Sequence, residues 1–338
     1  MDDGAASSTL SAPNSLGAET KLNIAVLVVS AFSTLGGGWV ISSFVVVPSL
    51  RTFRHQLILG LGFSDFMMAL NVVLSTSMNL TGHHIWAEEQ RAFCSFNGFM
   101  NQMFVIQTDY WILTIAVCTY LILMDHTTAA SWIQEYRIIL WALPWILSTL
   151  WATLGLVLVG YGNIGAWCWF TSDRIRLLVN FTPRWAIIAI ILALYTRLCI
   201  FLYRSHKSIS SDYAGALPTE LRQWQILDRQ AAGRCYSVYP AASPLKNISQ
   251  RMMIYPAVYA LIWAVPTAVR IYHEATGRQA PLALSIVDNS CIISHGIADA
   301  IIYGSNERVR NGWIERIHSL WEGRKRSTRR WYAGSAAC

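Results

Sequence analysis

Residues 22–47 read LNIAVLVVSAFSTLGGGWVISSFVVV, twenty-six residues without an ionisable side chain. A hydrocarbon core about 30 Å thick is crossed by about 20 helical residues, so this segment is long enough to span a bilayer. Six further apolar segments reach comparable length, at 56–80, 94–124, 136–159, 177–203, 248–271 and 281–303. In lipid every backbone amide must find a partner inside its own segment, which makes each run a helix. The fold expected is an all-α membrane protein: a seven-transmembrane helix bundle over 22–303, followed by a short amphipathic C-terminal helix.

Composition agrees. The chain of 338 residues is 54% hydrophobic and 13% charged, whereas a soluble domain carries about 25% charge. Trp and Tyr, 15 and 14 residues, suit the two membrane interfaces. The net charge of +7 is informative through its placement. Arg51 and Arg54, the basic residues of 205–247, and a tail carrying Arg324, Lys325, Arg326, Arg329 and Arg330 all fall on one side of seven spans. The opposite side mixes basic residues with acids. The positive-inside bias then predicts an extracellular N-terminus and a cytoplasmic C-terminus in the plasma membrane. A nucleic-acid partner is not expected.

Residues 1–21 are small and polar and are expected to be disordered and extracellular. They show no basic stretch followed by a short apolar run, so no cleavable leader is expected and the first span serves as its own insertion signal. Residues 205–247 form the one long loop, expected on the cytoplasmic side. In the segment 304–338, Val309, Trp313, Ile314, Ile317, Leu320 and Trp321 recur at helical spacing between basic residues, the pattern of a helix lying in the interface plane against lipid headgroups. Two cysteines stand out by topology. Cys94 opens the third span and Cys168 lies in the loop between spans four and five, both on the oxidising side, where a disulfide persists; the alternative is two free thiols. Asn79 and Asn180 each begin an Asn-x-Thr triplet close to the membrane.

Polar side chains inside the spans are costly and turn toward the bundle interior. Span two carries Asp65 and Asn71. Span three carries Asn97, Asn101, Gln102, Gln107, Thr108 and Asp109. Span seven carries Asp288, His295 and Asp299 on one helical face. Either these form a ligand pocket above an internal network, or they are a hydrogen-bond web that only holds helices together. Arg184, near the start of span five, must snorkel, pair with an acid, or meet an anion; with Arg176 and Arg270 it would make a vestibule attractive to anions. Span six reads Tyr259-x3-Trp263-x2-Pro266, a large aromatic one turn below a proline kink. Enzyme chemistry has no foothold: there is no phosphate-binding glycine loop, no His-Glu-x-x-His and no zinc-type cysteine spacing, so neither cofactor nor metal is expected. The absence of lysine from 281–303 excludes a retinal Schiff base there.

Leu61-Gly62-Phe63-Ser64-Asp65-Phe66, Cys94, Trp167-Cys168-Trp169 and Tyr259-x3-Trp263-x2-Pro266 together resemble the G protein-coupled receptors, and within them the fungal and amoebal group similar to the cyclic-AMP receptors of slime moulds. Met124-Asp125-His126 stands where rhodopsin-like receptors have Asp-Arg-Tyr, and no proline precedes Tyr303 where they have Asn-Pro-x-x-Tyr, so that subgroup is disfavoured. The resemblance implies a receptor that passes an extracellular ligand, nutrient or surface cue to a heterotrimeric G protein. The ligand is expected near Asn97, Asn101, Trp167, Trp169, Arg184, Trp263 and Asp288. An internal polar network is expected at Asp65, Asn71, His295 and Asp299, and G-protein contacts at Arg54, His126, Arg204, Lys246 and Arg251. The competing readings are a proton-coupled transporter, for which no internal repeat is seen, and a seven-span scaffold without a ligand.

Overall fold

A computed structural model of the chain describes residues 15–124, 132–133, 135–216, 242–276, 281–306, 309–319 and 321. Helix α1, Leu16–Val46, starts on Ser15, whose side chain accepts from the Ala18 amide. That cap, with Glu19 in the first turn facing the positive end of the helix dipole, carries helix six residues beyond the apolar run. The expected disorder over 1–21 is therefore corrected for residues 15–21. The helix ends at Val47, extended ahead of Pro48, as the residue before a proline prefers.

Next come α2, Phe53–Leu80, α3, Arg91–Met124, and α4, Arg137–Leu158. Two short antiparallel strands follow, β1, Gly162–Asn163, and β2, Cys168–Trp169. A short helical turn, Asp173–Arg176, and a π-helical turn, Leu177–Phe181, lead into α5, Thr182–Ala216. Helix α6 is Ala242–Thr276. Both α5 and α6 run into the stretch 205–247 expected to be loop, which is corrected to helix over 205–216 and 242–247; residues 217–241 lie outside the described residues.

Among the described residues, six helices are long and apolar enough to cross a membrane. The seventh expected span is two helices in succession, α7, Leu282–Ile293, of 12 residues and α8, His295–Gly304, of 10. They meet at Ser294, whose amide is shared between the Ser290 and Cys291 carbonyls at 3.0 and 3.2 Å. Residues 309–319 are helical; Val309 is buried, and Trp313 Nε1 donates to Ser43 Oγ on α1 at 2.9 Å.

Helix α3 lies at the centre, touching α2, α4, α5 and α6 as well as both strands. Small residues permit the closest approaches. Trp111 of α3 lies so tightly on α2 that a Cβ at Gly60 would fall 2.3 Å from its ring. At the α1–α8 crossing, a Cβ at Gly36 would meet the Gly296 carbonyl oxygen at 2.5 Å, and one at Gly296 would meet the Ser33 carbonyl oxygen at 2.6 Å. Ser33 Oγ donates to the Ile293 carbonyl at 2.6 Å across this crossing, occupying a carbonyl at the α7–α8 break. In lipid, where apolar surface gains nothing by leaving the tails, such close backbone packing and interhelical hydrogen bonding carry the association.

The expected outcome for Gly36→Val and Gly296→Val is a loss of about 1–3 kcal/mol from overpacking, read as a lower thermal midpoint in detergent. Gly17→Ala, where a Cβ meets nothing within 4 Å, leaves the midpoint unchanged or slightly higher.

Candidate functional site

At one end of the bundle the loop between α4 and α5 folds inward and plugs the mouth. The Cys94–Cys168 disulfide ties it to the first turn of α3, so the pairing expected from topology is present. Ala166, Trp167, Cys168, Trp169 and Phe170 are all buried. A buried loop must place its backbone polar groups, and polar side chains of α2 and α3 receive them. Ser75 Oγ donates to the Ala166 carbonyl at 2.9 Å, Asn79 Nδ2 to the Gly165 carbonyl at 3.1 Å, and the Cys168 amide to Asn97 Oδ1 at 2.8 Å. Trp169 Nε1 donates to Gln102 Oε1 at 2.6 Å. Behind the plug, Asn101, Trp167 and Trp169 line a small cavity with Met68, Val105 and Ile292. Its volume, about 10 Å³, is on the scale of one water molecule.

Below this end lies a buried ion pair. Arg184 Nε and Nη2 donate to Asp109 Oδ1 and Oδ2 at 3.0 and 2.9 Å, a bidentate fork. Neither side chain is more than 2% exposed. Tyr259 of α6 donates to the same Asp109 Oδ1 at 2.5 Å, and the Arg184 guanidinium lies 3.4 Å from the Trp263 ring centre. One carboxylate on α3 thus holds α5 and α6 together. Of the three fates open to an intramembrane arginine, pairing with an acid is the one seen. His295 packs against both aromatic rings, 5.7 Å from Tyr259 and 5.8 Å from Trp263, which brings α8 to the same centre. Arg270 stands 3.6 Å from Asp288, and Arg176 donates to the Phe170 carbonyl of the plug. The three guanidiniums of the expected anion vestibule therefore all have contacts within the protein.

The polar residues of span two meet those of spans three and seven. Asn71 and Asn97 clasp reciprocally, each side-chain amide donating to the other's backbone carbonyl at 2.9 and 3.2 Å. Asn101 Nδ2 donates to Asn97 Oδ1 at 3.2 Å. Thr108 Oγ1 donates to Asp65 Oδ1 at 3.2 Å, and buried Asp299 of α8 lies close to Asp65. Asp65 and Asp299 thus adjoin one another, whereas His295 sits with Tyr259 and Trp263 beside the ion pair and Asn71 belongs to the clasp nearer the plug.

Several buried atoms near the ion pair have no hydrogen-bond partner in the protein. They include both side-chain polar atoms of Asn180, Arg184 Nη1, Trp263 Nε1, Asp288 Oδ1 and His295 Nε2. Unsatisfied buried polar atoms are costly, and a run of them linked through Phe181, Trp263 and Arg270 is chemically suited to a polar guest. Asn180 is fully buried in the π-helical turn, and Asn79 is hydrogen-bonded beneath the plug, so neither is presented as a glycosylation acceptor.

Of the residues expected at the opposite end, Arg54 lies in the first turn of α2. Arg204, Lys246 and Arg251 lie on α5 and α6, and His126 falls outside the described residues. Asp109, Tyr259, Gln102 and Asn180 were not assigned to the site from sequence. The signal for Asp109 was present, since an arginine and an aspartate inside a membrane each need a partner.

Known proteins resemble the chain along most of its length. Residues 19–209 match the model of a family described as G protein-coupled glucose receptor regulating Gpa2, and 245–311 match that of its C-terminal part. Two ascaroside receptors of Arthrobotrys oligospora, GPR2 and GPR3, are 35% and 30% identical; the alignments cover 92% and 86% of this chain and 94% and 86% of theirs. The cyclic AMP receptor-like protein A of Dictyostelium discoideum is 25% identical over 43% of this chain and 35% of its own. Squid rhodopsin superposes with a TM-score of 0.62 at 18% identity, over 90% of this chain and 87% of that one, a likeness of fold.

Breaking the ion pair from one side strands a buried charge, so Arg184→Ala or Asp109→Ala is expected to cost about 3–5 kcal/mol, measured as unfolding in detergent. Replacing both together with Met and Leu recovers most of that loss. Removing the disulfide with Cys94→Ser is expected to cost about 2–5 kcal/mol and to make the plug accessible to protease.

Proposed function

This chain belongs to the fungal family of G protein-coupled receptors described as glucose receptors regulating Gpa2, and on that premise we propose where its ligand and its G protein bind. It is a multi-span membrane receptor linked to heterotrimeric G-protein signalling, not an enzyme. The proposed arrangement has seven crossings, with α7 and α8 together forming the last. At about 1.5 Å per residue, their 12 and 10 residues with Ser294 between them reach about 34 Å, enough for the hydrocarbon core. The disulfide end faces outward, supported by the concentration of Lys and Arg on the other side. Residues 309–319 lie as an amphipathic helix at the inner interface, with Ile314 and Ile317 exposed toward lipid.

The ligand site proposed lies between the plug and the Asp109–Arg184 pair, bounded by Asn97, Asn101, Trp167, Trp169, Arg184, Trp263 and Asp288, with Asn180 added. The observation that carries this reading is the set of buried, unpartnered polar atoms on Arg184, Trp263 and His295, whose guanidinium and imidazole both lie against the Trp263 ring. A guest that satisfies those atoms changes the contacts of α5 and α6 at once, because both are held through Asp109. It thereby favours an arrangement in which their far ends separate. The G protein then docks on Arg54, His126, Arg204, Lys246 and Arg251. The names of the two similar receptors make an ascaroside the first ligand to test, and glucose, from the family description, the second.

The test is nucleotide exchange on a purified Gα subunit by the receptor in nanodiscs. Ligand is expected to accelerate exchange, and Asp288→Asn to raise the half-maximal concentration about tenfold by removing a charge-assisted contact. Arg251→Glu lowers exchange while ligand binding stays intact. Ligand-dependent uptake or current in vesicles with no effect on exchange would instead support a transporter.

A further inference from the structure

The break between α7 and α8 turns on which donor meets one carbonyl. In an unbroken α-helix the Ile293 carbonyl would receive the Ile297 amide. Here the Ile297 amide donates to the Ser294 carbonyl at 3.1 Å, which also accepts from the Ala298 amide at 3.1 Å. Ser294 Oγ bonds back to the Cys291 carbonyl at 2.9 Å, a contact that bends helices. The Ile293 carbonyl is met from outside, by Ser33 Oγ of α1 at 2.6 Å. Ser30, Thr34, Ser42 and Ser43 donate to carbonyls of their own helix α1, whereas Ser33 reaches across. Ser33 is fully buried, and a Cβ at Gly296 would fall 2.6 Å from its Oγ, so the bare glycine is what lets the two helices come this close. Beyond the break, α8 carries three contacts with its neighbours. His295 lies against Tyr259 and Trp263, Asp299 lies close to Asp65, and Tyr303 stands edge-on to Trp39 of α1 and His55 of α2, at 5.9 and 6.0 Å.

We propose that Ser294 is a hinge and Ser33 its latch. On activation the Ile293 carbonyl exchanges the Ser33 hydroxyl for the Ile297 amide, α7 and α8 join into one helix, and the receptor leaves its resting form. Either donor satisfies the carbonyl, so the crossing has two discrete arrangements rather than a continuum of bends. A segment in lipid favours hydrogen bonds within its own backbone, so the broken form depends on the donor that α1 supplies. The released Ser33 hydroxyl turns back to a carbonyl of α1, as those of its neighbours do. Joining the helices redirects α8 and changes the contacts of Asp299 and Tyr303 with α2 and α1. His295, the first residue beyond the hinge, lies on the same Trp263 ring as the Arg184 guanidinium, so a shift of Trp263 is felt next to the latch. The hinge presupposes the receptor reading but no particular ligand.

The experiment pairs ligand-free nucleotide exchange on a purified Gα subunit with spin-label distances in the full-length receptor in nanodiscs. Labels go on Val45→Cys and Ile301→Cys, both exposed side chains, with Cys199, Cys235 and Cys338 replaced by Ser. Ser33→Ala is expected to speed ligand-free exchange roughly fivefold, the shift that one lost hydrogen bond makes in a two-state equilibrium, and to enrich a second population of label distances. Ile297→Pro removes the competing amide, and its ring blocks the joined helix, so Ser33→Ala/Ile297→Pro returns both readouts to wild type. The hinge is overturned if Ser33→Ala leaves the label distances as they are in wild type, or fails to speed an exchange that the wild type supports. It is also overturned if the double variant stays as active as the single one, which would make looser packing at the α1–α8 crossing the cause. New label distances without exchange from any variant count against the receptor reading, not against the hinge.

Discussion

The carboxylate of Asp109 fastens the bundle. It stands on the central helix α3 and accepts from Arg184 on α5 and Tyr259 on α6. An aspartate or an arginine alone at that depth would be expelled or neutralised, because lipid offers neither water nor counter-ion. Together, in a bidentate fork under the Trp263 ring, they offset much of each other's desolvation. Breaking one partner costs more than the intact pair contributes, and this makes the junction a specific constraint on how α3, α5 and α6 sit.

The plug and the polar web follow from the same constraint. A loop driven into the bundle mouth carries amides and carbonyls that must be matched, and Asn97, Ser75, Asn79 and Gln102 on α2 and α3 match them. The disulfide holds the loop where those partners can act. Just behind the plug the Asn71–Asn97 clasp joins α2 to α3, and toward the other end the Thr108–Asp65 bond joins them again with Asp299 of α8 alongside, so the polar residues form two layers. Tight small-residue contacts at Gly36, Gly60 and Gly296 then set the helix separations that let these groups meet.

Much of this was legible in the sequence. Apolar runs of bilayer length and the topology of Cys94 and Cys168 pointed to the bundle and its covered mouth. The intramembrane positions of Asp65, Asn97, Arg184, Asp288 and Asp299 marked the interior, since a polar residue in lipid has nowhere else to turn. What could not be read was who meets whom. Arg184 and Asp109 are 75 residues apart, and no periodicity links positions on different helices. Nor was the break at Ser294 visible, because an apolar run does not record where one helix gives way to the next.

The sequence by itself determined which segments are helical, which face of each is polar, and that the interior holds charges needing partners. These are properties of single helices, decided by local composition and by the energetics of one segment in lipid. Only the tertiary structure decided that Asp109 rather than Asp288 receives Arg184, that Asn97 caps the plug rather than standing open to it, and that Ser33 meets the Ile293 carbonyl. Those outcomes depend on the rotation and separation of helices, which are set by packing at glycine crossings and by hydrogen bonds between residues far apart in the chain.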